Sequence, residues 1–331
     1  MNQESRAIHE AAIVIDGLEI SRFGRPVFEG MRQGGLTAVN CTVSVLENFR
    51  QTIRNIGWWQ KAFAEHADLI VQVRSVSDIH SAKRSGKTGI ILGFQNTSAI
   101  EDELDLLSIF HALGVRVIQL TYMEANLVGQ GCLERFDAGL TAFGLEVVAE
   151  MNRLGIVIDL SHVGHQTVME TIEASSQPVA FTHANPWSLC NHPRNKTDEE
   201  IRALVKKGGV IGATIFPPFL PEGNRSTVRD VVKVVDYLVS IAGIDHVGVA
   251  SDFVIQGISS SATREDWYEP RLESFKPSYQ VRWPPWIPEL DSPERYRTVA
   301  EILDRRGYSS GDIEKVLGLN WLRYYRQVLK P

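Results

Sequence analysis

Cysteine is scarce in this chain of 331 residues. The three cysteines, Cys41, Cys132 and Cys190, are far apart, and none belongs to a C-x-x-C motif. A disulfide framework or a zinc site built from thiolates is therefore not indicated, since either needs cysteines at characteristic spacings. Sparse, unpaired cysteines are typical of a reducing compartment, and we expect a cytoplasmic protein.

The chain also lacks an excess of positive charge and long apolar runs. The formal net charge is -6 and no Lys and Arg cluster alternates with aromatic residues, so no nucleic-acid partner is predicted. The first ten residues contain charges and no long apolar stretch follows, so no export signal is predicted. No apolar run approaches the roughly eighteen residues that indicate a membrane span, and we expect a soluble protein without membrane contact.

What the chain does contain is an alternation of short apolar runs with longer amphipathic stretches, which is typical of βα units and a parallel sheet. Within residues 143–154, apolar side chains recur at three- and four-residue spacing, which predicts a helix. Eight runs are predicted strands: 12–15, 38–43, 89–94, 115–122, 156–161, 178–183, 210–216 and 247–253. Eight strands with intervening helices predict an α/β fold, the (β/α)8 TIM barrel.

An open, doubly wound sheet is the alternative. It is disfavoured because no G-x-G-x-x-G motif follows the first predicted strand, and the pair Gly34-Gly35 precedes the second strand instead of opening a helix. We therefore expect one (β/α)8 domain over residues 1–331. A segment rich in Pro, Trp and Tyr, residues 255–292, interrupts the alternation after the eighth strand. We interpret it as a loop over the barrel mouth or as an oligomer contact.

Two predicted strands end in a hydroxyl residue followed by histidine, at Ser161-His162 and Thr182-His183. The carboxyl ends of neighbouring parallel strands face the same mouth of a barrel, so the two imidazoles should share a site where a metal ion or a polarised substrate could bind. A single histidine at such a position is more often a core or rim residue. Two at matching positions favour a site.

Three polar residues could complete this site. Asp252 ends the eighth predicted strand, where a carboxylate needs a metal, water or histidine partner, unless it is a helix N-cap. Arg194 follows the sixth strand and suits a carboxylate or an oxyanion, with a surface ion pair as the alternative. Asp159 is either a hydrogen-bond acceptor behind the site or a structural carboxylate, and the structural role is favoured. Cys41, in the second strand, is interpreted as a small buried apolar residue.

A long segment, from MNRLG through DLSH and TH to HPRN, resembles the membrane (renal) dipeptidase family, a branch of the amidohydrolase superfamily. The resemblance extends to DHVGVASDF, IVIDG and MRQGGLTAVN and is weakest over residues 255–292. It implies a (β/α)8 barrel, usually a homodimer, in which two zinc ions hydrolyse dipeptides or related amides and lactams. It also implies that His162 and His183 hold the second zinc ion. By the same matching, Arg194 would bind substrate and Asp252 would contact the catalytic water as acid or base.

Other positions depart from the family pattern. Where the family has a His-x-Asp pair for the first zinc ion, this chain has Leu18 and Ile20. Gln95 replaces the glutamate that bridges the metals, and Tyr122 replaces a histidine that contacts substrate. Two divalent ions repel each other unless anionic ligands offset their charge, so a two-ion centre is not expected. Glu19 could join the site only if the first strand shifted register, because alternation turns it away from the face of Leu18 and Ile20.

Two functions from different classes stay open. The first is a dipeptidase-like metallohydrolase of a small amide bearing a carboxylate, with one zinc ion held by the two histidines and an oxygen of Gln95, Asp252 or water. In this enzyme Asp252 would move the proton, Arg194 would hold the substrate carboxylate and Tyr122 would donate to the oxyanion. The second is a paralogue that has lost the binuclear centre, holds no zinc, and binds a small molecule or catalyses without metal.

Overall fold

The structure is a computed structural model that describes residues 3–257, 276 and 286–330. Most of the Pro- and Trp-rich segment 255–292, including Trp267 and Trp283, lies outside the described residues. Its interpretation as a loop over the mouth or an oligomer contact therefore stays a prediction. None of the helices in the described part of the chain is long and apolar enough to cross a membrane.

Parallel strands form the wall of a barrel. Within the described residues the strands are β1 (Ile15–Glu19), β2 (Ala38–Ser44), β3 (Ile70–Gln72), β4 (Thr88–Phe94), β5 (Val115–Gln119), β6 (Val157–Asp159), β7 (Ala180–Phe181), β8 (Val210–Thr214) and β9 (Val247–Ala250). Hydrogen-bonded neighbours follow the order β1-β2-β4-β5-β6-β7-β8-β9. The ring closes between β9 and β1, where the backbone N–H of Asp252 donates to the carbonyl of Leu18 at 3.0 Å. The predicted (β/α)8 fold is confirmed.

Helices surround this wall. Within the described residues they are α1 (Gln3–Ala11), α2 (Arg25–Gln33), α3 (Phe49–Glu65), α4 (Val76–Ser85), α5 (Leu106–Ala112), α6 (Ala142–Leu154), α7 (His165–Ala174), α8 (Asp198–Lys206), α9 (Val228–Ala242), α10 (Arg295–Arg306), α11 (Ser310–Glu314) and α12 (Asn320–Val328). A π-helical turn, Lys315–Leu319, joins α11 to α12, and short 3-10 turns occupy Ser98–Ile100, Pro217–Phe219, Gly223–Arg225, Ile244–His246 and Pro288–Leu290. The helix predicted over residues 143–154 is α6.

The first strand lies later in the chain than the apolar pattern predicts. The predicted strand 12–15 shares only Ile15 with β1, which continues through Asp16 to Glu19 and pairs Ile15 with Ala38. The prediction of its bounds is wrong because two buried carboxylates interrupt the apolar run. The Asp16 carboxylate accepts the backbone N–H of Ser251 at 2.8 Å, so burial of its charge is offset by a partner that is distant in the chain but adjacent in the barrel.

A further strand, β3, is not predicted by the alternation. It lies outside the ring of eight and pairs with the first half of β4, while β5 pairs with the second half. Only Ile70 of its residues is buried, so the run shows no clear apolar face. Its pairing with β4 depends on a neighbour that the local sequence does not reveal.

Trp321 of α12 closes the amino-terminal end of the barrel. Its indole Nε1 donates to the carbonyl of Val249 at 3.2 Å, and the side chain is fully buried. A Cβ at Gly212 or Gly248 would lie 2.9 Å or 2.4 Å from the indole, so only glycine fits at these two strand positions. The open mouth therefore lies at the carboxyl ends of the strands.

Candidate functional site

His162 and His183 meet at the mouth of the barrel and are called the histidine pair below. Their Nε2 atoms lie 3.0 Å apart. The two residues follow the adjacent strands β6 and β7, which explains why their side chains converge. Their exposed fractions of 3% and 0% show that the pair is shielded from bulk water.

Tyr122 and Met123 cover His162. The phenol ring of Tyr122 stacks on the imidazole with ring centroids 4.3 Å apart, and the Met123 Sδ atom lies 3.5 Å from His162 Nδ1. Tyr122 follows β5, so the loops after three consecutive strands of the ring contribute to the site. The structure thus places the predicted Tyr122 directly beside the histidine pair.

Behind His183 lies a chain of hydrogen-bonding side chains. His183 Nδ1 is 2.7 Å from the hydroxyl of Thr182, and that hydroxyl donates to the Asp159 carboxylate at 2.6 Å. The carboxylate also accepts the Ser161 hydroxyl at 2.6 Å. Burial raises the pKa of Asp159, whereas these hydrogen bonds oppose the rise because they favour the charged form. Asp159 is therefore the acceptor behind the site as well as a buried structural carboxylate.

Arg194 is fully buried against the backbone of the histidine pair. Its Nη1 donates to the carbonyl of Ser161 at 2.5 Å and its Nη2 to that of His183 at 2.7 Å. Its Nε is buried and has no hydrogen-bond partner among the described residues. The alternative of a surface ion pair is wrong, because this guanidinium is 0% exposed. Arg194 joins the ends of β6 and β7 and puts a positive charge next to the histidines.

The histidine pair is neutral at pH 7. Burial lowers the pKa of each imidazole well below its ordinary value of 6.5, and the charges of Arg194 and Lys196 lower it further. Lys196 is itself buried, and its Nζ donates to the carbonyl of Val163 at 2.7 Å. Neutral imidazoles have nitrogen lone pairs available for a metal ion or a proton. The surrounding positive charge also favours an anionic substrate.

The opposite side of the mouth, at β1 and β2, has a different character. An open cavity of about 400 Å³ lies there, and it is lined by residues that include Ile20, Thr42, Val45 and Trp58. We name it the β1–β2 cavity. Val45 also packs with Tyr122 and Met123, so the apolar wall of this cavity extends to the side chains that cover His162.

Gln95 contacts this side of the mouth, and Leu18 lies there too. The Gln95 amide nitrogen donates to the hydroxyl of Thr42 at 2.8 Å, and Gln95 is 3% exposed. Leu18 is buried in the core and offers no donor to a metal. Among the residues that a first zinc ion would require, this side therefore provides the oxygen of Gln95 alone.

Glu19 and Cys41 do not face the β1–β2 cavity. The Glu19 carboxylate accepts the backbone N–H groups of Ser21 at 3.2 Å and Ile255 at 2.9 Å, and so ties β1 to the segment after β9. Burial raises the pKa of Glu19 to about 8. The pairing of β1 with β2 is irregular between Asp16 and Glu19, so the expected alternation of Glu19 against Ile20 stays a prediction. Cys41 is fully buried, and burial raises its thiol pKa well above 9.0, which fits a small apolar role.

Asp252 lies directly after β9 in a left-handed backbone conformation, with φ of 50°. Its side chain is half-buried at the mouth, and no helix begins there within residues 253–257, so the alternative of an N-cap is wrong. Non-glycine residues in this conformation are uncommon and often occur at functional sites.

The spacing of the histidine pair is close to the spacing of two ligands on one metal ion. Two nitrogens bound to one tetrahedral zinc ion at about 2.0–2.1 Å would lie roughly 3.3 Å apart, close to the 3.0 Å separation of the histidine pair. Within the described ranges no group of three or more His, Cys, Asp or Glu side chains could hold a metal ion. The histidine pair would therefore supply two of the nitrogen donors that such an ion needs.

Three contacts were not predicted from the sequence: those of Met123, Thr182 and Lys196. The hydroxyl residue before each histidine was a visible signal for Thr182. Lys196 lies in the loop after β7, two residues after Arg194, and nothing in the local pattern indicated its contact. Met123 gave no signal, because a methionine after a predicted strand is usually a core residue.

Comparison with known proteins places this geometry in context. The sequence model of the membrane dipeptidase family, peptidase family M19, matches residues 27–266. An uncharacterized dipeptidase from Schizosaccharomyces pombe is 29% identical over 288 residues, which cover 84% of this chain and 62% of that protein. The dipeptidase tcpJ from Claviceps purpurea is 28% identical over 285 residues, covering 85% of this chain and 60% of that protein. The chain thus spans about six tenths of the length of these curated relatives.

Solved structures give a longer match. An amidohydrolase from Pseudomonas aeruginosa superposes with a TM-score of 0.90 at 40% identity, covering 98% of this chain and 99% of that one. A metallo peptidase from Rhodobacter sphaeroides, liganded with a phosphinate mimic of the dipeptide L-Ala-D-Ala, has a TM-score of 0.81 at 19% identity. It covers 96% of this chain and 99% of that one, and at this identity it shows the shared fold alone.

Proposed function

This chain belongs to the membrane dipeptidase family, and we propose that it hydrolyses a dipeptide or a related small amide bearing a carboxylate, with one zinc ion on the histidine pair. The observation that carries the proposal is the pair of buried Nε2 atoms 3.0 Å apart. Two imidazoles accept one ion, whereas two ions would need anionic ligands that Leu18, Ile20 and Gln95 do not supply.

Zinc bound at this position would polarise the scissile carbonyl and lower the pKa of its bound water. Gln95 is the proposed third ligand, through its amide oxygen, since its amide nitrogen donates to Thr42. The β1–β2 cavity, at about 400 Å³, lies within the range of about 300–1,000 Å³ typical of small-molecule pockets. We propose that it receives the substrate.

Arg194 is the proposed partner of the substrate carboxylate. Its charge acts on both histidines, as their lowered pKa values indicate, and within the described part of the chain its Nε has no hydrogen-bond partner. Asp252 is the proposed proton-transfer group, because it lies at the mouth directly after β9. Tyr122, stacked on His162, is the proposed donor to the oxyanion that forms when the carbonyl is attacked.

Metal content tests this proposal. Element analysis of protein purified without chelator, followed by zinc add-back, should find about one zinc ion per chain, the number that the histidine pair can hold. Two ions per chain would show ligands beyond those described, and none after add-back would contradict the metal site. With a single weakly held ion we expect slow turnover of dipeptides that contain Gly or Ala. Fast turnover that a chelator abolishes would argue for a complete two-ion centre.

A second candidate is a paralogue that binds an anionic small molecule without metal. The buried cations of Arg194 and Lys196 next to the histidine pair favour it, since they oppose a divalent ion and attract a carboxylate. Calorimetric titration of the zinc-free protein with N-acetyl amino acids separates the two candidates. Carboxylate binding that zinc leaves unchanged supports the second, and binding that requires zinc supports the first.

A homodimer remains a prediction from the family resemblance, as does a cytoplasmic location. Light scattering coupled to size exclusion reads the oligomeric state directly. A monomer over the working concentration range would contradict the dimer without affecting the proposed chemistry.

A further inference from the structure

Each histidine of the pair has an acceptor on the side of its ring that faces away from the other histidine. For His162 this acceptor is Met123, whose Sδ lies 3.5 Å from Nδ1. A thioether sulfur carries no hydrogen, so a hydrogen bond between these atoms requires the imidazole proton on Nδ1. The lone pair of His162 is then on Nε2.

For His183 the acceptor is the hydroxyl of Thr182. This hydroxyl has one proton, and it donates that proton to Asp159 Oδ2 at 2.6 Å. The 2.7 Å contact between Thr182 Oγ1 and His183 Nδ1 must therefore use a proton of the imidazole. Asp159 is held as an acceptor by three further donors, namely the Ser161 N–H, the Ser161 hydroxyl and the Thr182 N–H. All four donors favour the carboxylate form, and toward a carboxylate the Thr182 hydroxyl can only donate.

These two assignments leave lone pairs on both Nε2 atoms, which face each other at 3.0 Å. Two lone pairs at this distance repel each other unless a cation lies between them. We propose that Asp159, Thr182 and Met123 are positioning residues that hold both imidazoles in the Nδ1–H tautomer, so that the two Nε2 atoms converge on one cation. The inference rests on the proposed function only for the identity of that cation, which is zinc.

The experiment combines zinc affinity with the state of the ring nitrogens. Thr182→Val keeps the shape of the side chain and removes the acceptor. We expect zinc to bind about 10–100-fold more weakly, the usual effect of removing a partner behind a metal ligand. Imidazole 1H–15N correlation spectra of the zinc-free variant should show His183 carrying part of its proton on Nε2. Thr182→Ser restores the hydroxyl and should restore both the affinity and the spectrum.

A matched control separates this effect from the loss of any buried hydroxyl. Thr171 is equally buried, and its hydroxyl donates to the carbonyl of Thr167 within α7 at 2.6 Å. Thr171→Val should lower stability without changing zinc affinity or the histidine spectrum. Met123→Leu, a substitution of similar volume, should change the spectrum of His162 and leave that of His183 unchanged.

The outcomes distinguish this inference from the proposed function. If the wild-type protein binds zinc and Thr182→Val binds it equally well, the positioning role is overturned while the zinc site stands. If the wild-type protein binds no zinc, the proposed ion is wrong, and the wild-type spectrum then decides the inference alone. Protons on both Nδ1 atoms support it, and a proton on Nε2 of either histidine overturns it. The wild-type spectrum also decides the question if Thr182→Val does not fold.

Discussion

The two sides of the barrel mouth differ in what their buried polar groups do. On the side of β6 and β7, Asp159 and Thr182 lie behind His183 and leave its Nε2 directed toward the site. On the side of β1 and β2, the Gln95 amide donates to Thr42, and the cavity wall includes Ile20 and Val45. The paired imidazoles therefore lie on one side of the mouth, and the other side offers space.

Two buried acidic residues show the same difference between the two sides of the barrel. Asp159 and Glu19 are each almost fully buried, and each accepts hydrogen bonds from a hydroxyl and from backbone N–H groups. Asp159 supports a histidine, whereas Glu19 fixes the backbone at Ile255. The same functional group, a buried carboxyl, supports a histidine on one side of the barrel and chain packing on the other, because the neighbouring residues differ.

The largest effect is expected from removing a member of the histidine pair. His183→Asn should lower zinc affinity by more than about a hundredfold, since loss of a ligand exceeds the loss of its supporting partners. Zinc content by element analysis and hydrolysis of a dipeptide panel measure the result. His192→Asn, on a half-buried histidine in the loop after β7, is the control. Unchanged zinc content in His183→Asn would show that the histidine pair does not hold the ion, and the proposed difference in metal binding between the two sides of the mouth would be wrong.

A triple substitution tests whether residue type alone makes the β1–β2 side inert. Leu18→His, Ile20→Asp and Gln95→Glu supply the donors that two ions need. We expect zinc content to rise from about one to about two ions per chain. If the folded triple variant still binds one ion, the register of β1 excludes the second ion. The difference between the two sides of the mouth is then caused by backbone geometry and not by side-chain chemistry.

A smaller effect is expected on stability at Arg194. Arg194→Met leaves the buried carbonyls of Ser161 and His183 without donors, which should lower the free energy of unfolding by about 2–4 kcal/mol. Arg202→Met removes an exposed ion pair with Asp198 and should change it by less than about 1 kcal/mol. Urea unfolding monitored by fluorescence compares the two. Equal changes in the free energy of unfolding would mean that the hydrogen bonds of Arg194 contribute little to the stability of the β6–β7 side.

The smallest effect, per unit of pH, is expected at Glu19. Burial raises its pKa from 4.5 to about 8, so the folded protein binds a proton that the unfolded chain releases between these values. The free energy of unfolding should therefore fall by about 1.4 kcal/mol per pH unit as pH rises through this window. Glu19→Gln removes the titrating group and should flatten the dependence. The exposed Glu29→Gln is the control.

A steep pH dependence that persists in Glu19→Gln would assign the titration to another buried group. Asp16 is the nearest such group, because its charge raises the pKa of Glu19 and its own pKa is raised by burial. The same unfolding series on Asp16→Asn would then identify it.

Much of the barrel and part of the site could be predicted because both follow from local pattern. Apolar runs at strand length mark the eight strands of the ring, and histidines at equivalent positions of consecutive strands must share the mouth. The bounds of β1 could not be predicted, because Asp16 and Glu19 are satisfied by Ser251 and Ile255, more than two hundred residues away in the chain. The sequence near β1 gives no indication of these two partners.

The sequence by itself indicated the fold class, the convergence of His162 and His183, and the apolar residues Leu18 and Ile20 at positions where the family resemblance implies metal ligands. Only the tertiary structure decided that the two Nε2 atoms lie 3.0 Å apart, and that Thr182 and Met123 face the opposite ring nitrogens. The reason is physical. Strand periodicity is a property of the local chain, whereas the direction of a ring nitrogen depends on rotamers and hydrogen bonds set by residues that folding brings together.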